Sequence, residues 1–91
     1  MEIDWSDEKD IVLKGRYGFG FERVVMALAN GDLIEERRHP NVDRYPHQRQ
    51  YVVSIDGYIW LVPFVRQTSG VFLKTMYPSR KATKHFLKEK T

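Results

Sequence analysis

Three histidines, at positions 39, 47 and 85, are the side chains of this sequence that ordinarily titrate near neutral pH. His39 and His47 flank one loop-forming stretch, His39-Pro40-Asn41 through Tyr45-Pro46. A neutral imidazole takes a proton and an imidazolium gives one. Further along, Lys74, Arg80, Lys81, Lys84, Lys88 and Lys90 are opposed only by Glu89. RNA transesterification needs a base on the 2′-hydroxyl, an acid for the leaving 5′-oxygen and cations for the phosphorane. His39 or His47, with Lys74, Arg80 and Lys81, are therefore the candidate catalytic residues. Tyr45 and Tyr77 are candidate platforms for stacked bases. Lys84 and Lys88 are candidate contacts to an RNA backbone. A loop histidine or a charged helix face is also ordinary solvated surface, and only geometry separates the two readings.

Other chemistries find no support. The chain has no cysteine, which removes disulfides, thiolate zinc sites and cysteine nucleophiles together. There is no HExxH and no GxSxG setting. Gly15, Gly18 and Gly20 follow no strand–helix unit and precede no phosphate-loop lysine, so they read as helix-end and turn glycines. The expectation is a site without metal or cofactor.

Charge is divided along the chain. Residues 1–36 carry four basic and nine acidic side chains, a net of −5, whereas residues 37–91 carry eleven and three, a net of +8. Such asymmetry fits an anionic partner for the second part, nucleic acid first. A soluble domain with a basic tail and no polyanion partner has the same pattern.

These residues must be positioned by a small framework. At 91 residues, the expectation is one domain over 1–91 with a thin core. The longest apolar run, residues 58–65, is too short to span a bilayer, and Glu2 and Asp4 do not fit a basic-headed signal peptide. A cytoplasmic protein is expected. Ser6 caps a helix over 7–16, with Asp7, Glu8 and Asp10 at its positive end and Gly18 beyond its last turn. Phe21, Val24, Val25 and Leu28 recur at helical spacing and predict a second helix over 20–29. Strands are predicted over 32–38, 48–55, 58–66 and 71–77, with Asp56-Gly57 as a hairpin turn. Pro63 conflicts with a central strand unless a bulge or an edge falls there. Ser79 caps a last helix over about 80–89. On it Arg80, Lys84 and Lys88 share one face, while Ala82, Phe86 and Leu87 point toward the body. The expected fold is α+β: two N-terminal helices packed on one face of a four-stranded, mainly antiparallel sheet, with a C-terminal helix.

The order of segments resembles a known family. Trp5-Ser6-Asp7-Glu8-Lys9 is similar to the W-D-x-x-K opening of BrnT-family toxins. Arg16-Tyr17-Gly18-Phe19-Gly20-Phe21-Glu22 resembles their K-H-G-(I/V)-x-F-E segment, with Tyr17 in the place of the histidine. Arg80-Lys81-Ala82-Thr83 resembles their R-R-A-T stretch after the last strand. The resemblance implies a RelE-like toxin of a type II toxin–antitoxin pair, a metal-independent ribonuclease that cleaves mRNA and stops translation. It also implies a neutralising antitoxin, typically a ribbon-helix-helix DNA-binding protein, and carries the basic positions after the last strand onto Arg80 and Lys81. A non-catalytic RNA- or ribosome-binding module remains the alternative, and a partner subunit for an acidic protein a third.

Overall fold

The computed structural model describes residues 2–87. In chain order these form β1 (Glu2–Trp5), α1 (Asp7–Tyr17), α2 (Phe21–Ala29), β2 (Leu33–Arg38), β3 (Arg49–Ile55), β4 (Tyr58–Arg66), β5 (Gly70–Leu73), β6 (Tyr77–Pro78) and α3 (Arg80–Leu87). The α+β class stands. The sheet has six strands instead of four, in the order β1-β5-β4-β3-β2 with β6 also paired to β4, and it is mixed because β1 runs parallel to β5.

Two corrections account for the added strands. The first is β1, whose four residues are too few to carry a periodic signal. Its partner lies 68 positions away, with Glu2 opposite Gly70. The approach is close enough that a Cβ on Gly70 would overlap the Glu2 carbonyl. The second is the segment expected as one strand over 71–77, which divides into β5 and β6. Pro63 explains the division. Its carbonyl accepts from the Lys74 N–H at 2.8 Å, on the side of β4 away from β3. A strand residue's N and O point to the same side. The donor that proline lacks therefore faces the gap between β5 (paired at residues 64–66) and β6 (paired at 60–61). The conflict at Pro63 is resolved by a local edge inside the sheet.

The β3–β4 hairpin forms as its turn residues require. Asp56 and Gly57 take φ of 53° and 80°, the left-handed pair of a type I′ turn. The helix signals also hold. Ser6 Oγ accepts from the Lys9 N–H at 3.3 Å, and Gly18 closes α1 at φ 86°. Asp10, almost fully buried, accepts from the Phe21 N–H at 2.8 Å and caps α2 from another helix. Gly20 is needed there because a Cβ would overlap Asp10 Oδ1.

The two N-terminal helices cover one face of the sheet. Leu13, Phe21, Val24 and Ala27 pack with Tyr51, Val53, Ile55, Val62, Phe64, Val71, Leu73 and Met76 into the main core. The last helix covers the other face, where Ala82, Phe86 and Leu87 pack on Val52, Ile59 and Leu61. The domain thus has three layers. No helix among the described residues is long and apolar enough to cross a membrane.

Candidate nucleic-acid interface

The candidate surface grows from the end of β2. Its last residues alternate across the sheet. Glu36 and Arg38 stand opposite Tyr51 and Arg49 on the α1/α2 face, and Arg37 stands opposite Gln50 on the α3 face.

On the α3 face, Arg37 lines a cleft of about 570 Å³ together with Lys81 and His85, and Arg38 and Pro40 at the end of the strand also line it. Leu61, Ala82 and Phe86 give it an apolar lining. Arg37 is held in place from below: its Nε donates to Gln50 Oε1 at 3.2 Å, and Gln50 Nε2 donates to the Tyr77 hydroxyl at 3.0 Å. Gln50 is fully buried, and both ends of its amide are used. The seating of α3 fixes the opposite wall. Ser79 Oγ accepts from the Ala82 N–H at 3.0 Å as its N-cap, and Thr83 Oγ1 accepts from the Ile59 N–H at 2.9 Å, satisfying a β4 donor that no strand pairs.

A second cleft, of about 340 Å³, adjoins the first and shares Arg38 with it. His47, Arg49 and Arg66 line it. One oxygen of Glu36 accepts from Arg49 Nε at 2.7 Å and from an Arg66 amino group at 2.6 Å. Three guanidinium groups against one carboxylate leave two positive charges, and Arg38 and Arg49 are direct cross-strand neighbours, an arrangement that costs stability. Beneath them the Tyr51 ring stacks on Phe64, with centroids 4.0 Å apart. Burial, then the Glu36 charge, raises the Tyr51 phenol above its ordinary pKa, while Arg66 acts in the opposite direction. Among the described residues no carboxylate pairs with Arg38 or Lys81. No cluster of described residues has the composition of a metal site.

The residues singled out by sequence fall in several places. Lys81 lies in the first cleft and His47 in the second. The His39 and Tyr45 rings meet at a tilt, centroids 4.6 Å apart, and His39 Nδ1 accepts from the Asn41 N–H at 3.0 Å, so both also organise the loop. Tyr77 packs against the α3-face core with its hydroxyl on Gln50. Lys74 is exposed just past β5, with Nζ 5.5 Å above the Phe72 ring. Arg80 and Lys84 are exposed on α3 and line neither cleft. Lys88 and the end of the helix expected to residue 89 lie outside the described residues. The structure brings Lys81 and His47 to adjoining clefts and leaves Lys74 and Arg80 outside them. Glu36, Arg37, Arg38, Arg49 and Arg66 were not singled out by sequence. The signal for them was there: Glu-Glu-Arg-Arg closes a strand, and alternation must place one arginine on each face.

Fold and site together define an α+β domain with a cationic double cleft at one edge of a mixed sheet. No family model, curated protein or solved structure matches the chain significantly.

Proposed function

We propose that this chain is a RelE-like toxin of a type II toxin–antitoxin pair, acting in the cytoplasm as a metal-independent ribonuclease on mRNA. The observation that carries the reading is the position of His47 in a cleft with Arg38, Arg49 and Arg66. The ordered resemblance of residues 5–9, 16–22 and 80–83 to BrnT-family toxins supports it. RNA bound there places a phosphodiester among guanidinium groups. Neutral His47 takes the proton of the 2′-hydroxyl, the 2′-oxygen bonds to phosphorus, and the bond to the 5′-oxygen breaks. The imidazolium returns its proton to the 5′-oxygen, leaving a 2′,3′-cyclic phosphate and a 5′-hydroxyl. The arginines stabilise the phosphorane charge. A neutralising antitoxin, of the ribbon-helix-helix type, covers this basic surface with an acidic segment.

One observation favours a second reading, a non-catalytic RNA- or ribosome-binding module. Glu36 already engages both Arg49 and Arg66, and a binding surface needs less free positive charge than a phosphorane does.

Growth after controlled induction tests the proposal. Arrest by the parent, relieved by His47→Ala and by Lys81→Ala but not by Arg80→Ala, is the expected pattern, because Arg80 lies outside both clefts. Normal growth with folded parent protein, or relief by Arg80→Ala alone, contradicts it.

A further inference from the structure

The first cleft differs from the second in kind. Its lining is mostly apolar, with Leu61, Ala82, Phe86 and Pro40 beside Ser79, His85 and the cations Arg37, Arg38 and Lys81. Its volume lies within the roughly 300–1,000 Å³ common to small-molecule sites. Phosphate groups alone have no use for the apolar lining. We infer that this cleft seats one base of a single-stranded RNA, with Phe86 beneath the base and Arg37 and Lys81 on its flanking phosphate, beside the phosphate held in the second cleft. The inference rests on the RNA reading and adds the place where the strand's identity is sensed.

Three features point to a nucleotide as the occupant. The aromatic ring is braced, with His85 edge-on to Phe86 at 4.7 Å and 83°. A braced ring offers a π-face at little entropic cost, and every base can stack on it. Arg37 is pre-positioned through Gln50 and Tyr77, so its Nε is already fixed before anything binds; one amino group also lies 4.0 Å from Glu35, and a phosphate would engage the other. Finally, Arg38 belongs to both clefts, giving a continuous run of cations from Lys81 to Arg66. A polymer with one negative charge per unit matches such a run. His85, Arg37 and Lys81 thus act on the flanking nucleotide, and His47 on the bond to be broken.

The test titrates isotope-labelled full chain with adenosine 5′-monophosphate, with inorganic phosphate and with a short single-stranded RNA, following backbone amides by NMR. The mononucleotide is expected to shift amides of residues 81–86 and to bind at least several-fold more tightly than phosphate. Phe86→Leu keeps an apolar side chain under α3 and removes the π-face, so it is expected to weaken mononucleotide and RNA roughly tenfold and phosphate not at all. Tyr77→Phe releases Gln50 and is expected to weaken the mononucleotide by a smaller factor, which Tyr77→Leu exceeds. The inference is overturned if the mononucleotide binds no better than phosphate, if its shifts fall at His47 and Arg66 instead, or if Phe86→Leu binds RNA as the parent does. A parent chain that binds the mononucleotide at residues 81–86 but no RNA upholds the seat and removes the ribonuclease reading. RNA bound with the seat silent does the reverse.

Discussion

On the α1/α2 face of the sheet, Val53, Ile55, Val62, Phe64, Val71 and Leu73 are sealed by two helices into a dry core. On the α3 face, only Val52, Ile59, Leu61 and Ala82 are buried as a cluster, and beside them lies a buried glutamine that holds an arginine. The two faces share a backbone and differ in what they are built for. The first supplies most of the apolar burial, which drives folding. The second has one short helix, held by Ser79 and Thr83 as much as by packing, and its remaining width is left as a cleft. The main apolar core thus lies under α1 and α2 and the first cleft on the opposite face, while Arg38, Arg49 and Arg66 of the second cleft stand on the core face at its β2 end.

The largest effect should come from the dry face. Phe64→Ala is expected to cost about 3–5 kcal/mol in denaturant unfolding. Phe86→Ala, on the half-buried ring of the α3 face, should cost much less, with faster hydrogen exchange confined to α3 amides. Equal losses at the two positions would remove the distinction between the faces. Next is Asp10→Ala, which deprives the buried Phe21 N–H of its acceptor and should cost about 2–3 kcal/mol. Lys14 forms an ion pair with the same carboxylate at 3.1 Å, and its pKa is raised first by that hydrogen bond. It is exposed, however, so Lys14→Ala should change stability far less than Asp10→Ala does. A large loss there would make Asp10 an ion-pair residue instead of a helix cap. Thr83→Val leaves the Ile59 N–H unpaired and should cost about 1–2 kcal/mol, again read in α3 exchange.

The smallest effect is on pH. The Tyr51 phenol is raised in the folded state, so folding favours its neutral form. Its contribution is intact below the ordinary tyrosine value of about 10 and is lost as pH rises from there through the raised value. Tyrosinate absorbance should show one late-titrating tyrosine, absent in Tyr51→Phe, whose unfolding midpoint falls less steeply at alkaline pH. An unchanged alkaline limb would place the effect elsewhere.

Much of the framework was legible from local chemistry. Ser6, Gly18, Asp56-Gly57 and Ser79 each state their own turn or cap, and the helices and the β3–β4 hairpin follow from them. What escaped depends on distance along the chain. The β1 strand acquires meaning only when Gly70 lies beside Glu2, and the break between β5 and β6 only when Pro63 faces it. The site divides in the same way. His47 and Lys81 were visible as residue types. The arginines of β2 and their partners on β3 and β4 meet only through strand pairing, and the Tyr77–Gln50–Arg37 relay crosses three strands. Sequence placed the positive charge in the second part of the chain and drew the eye to its dense C-terminal run of lysines, whereas the four arginines of the two clefts are gathered only by the sheet.

In the proposed function, His47, among Arg38, Arg49 and Arg66, breaks an RNA phosphodiester. The most direct measurement is cleavage of a labelled mRNA fragment, offered alone and on translating ribosomes, with the ends of the products identified. The parent should leave 2′,3′-cyclic phosphate ends. His47→Ala should lose about 100-fold or more in rate while still binding RNA, and Arg38→Ala should weaken binding and cleavage together. RNA left intact by saturating folded protein in both settings, or cleaved by His47→Ala at the parental rate, would contradict the account.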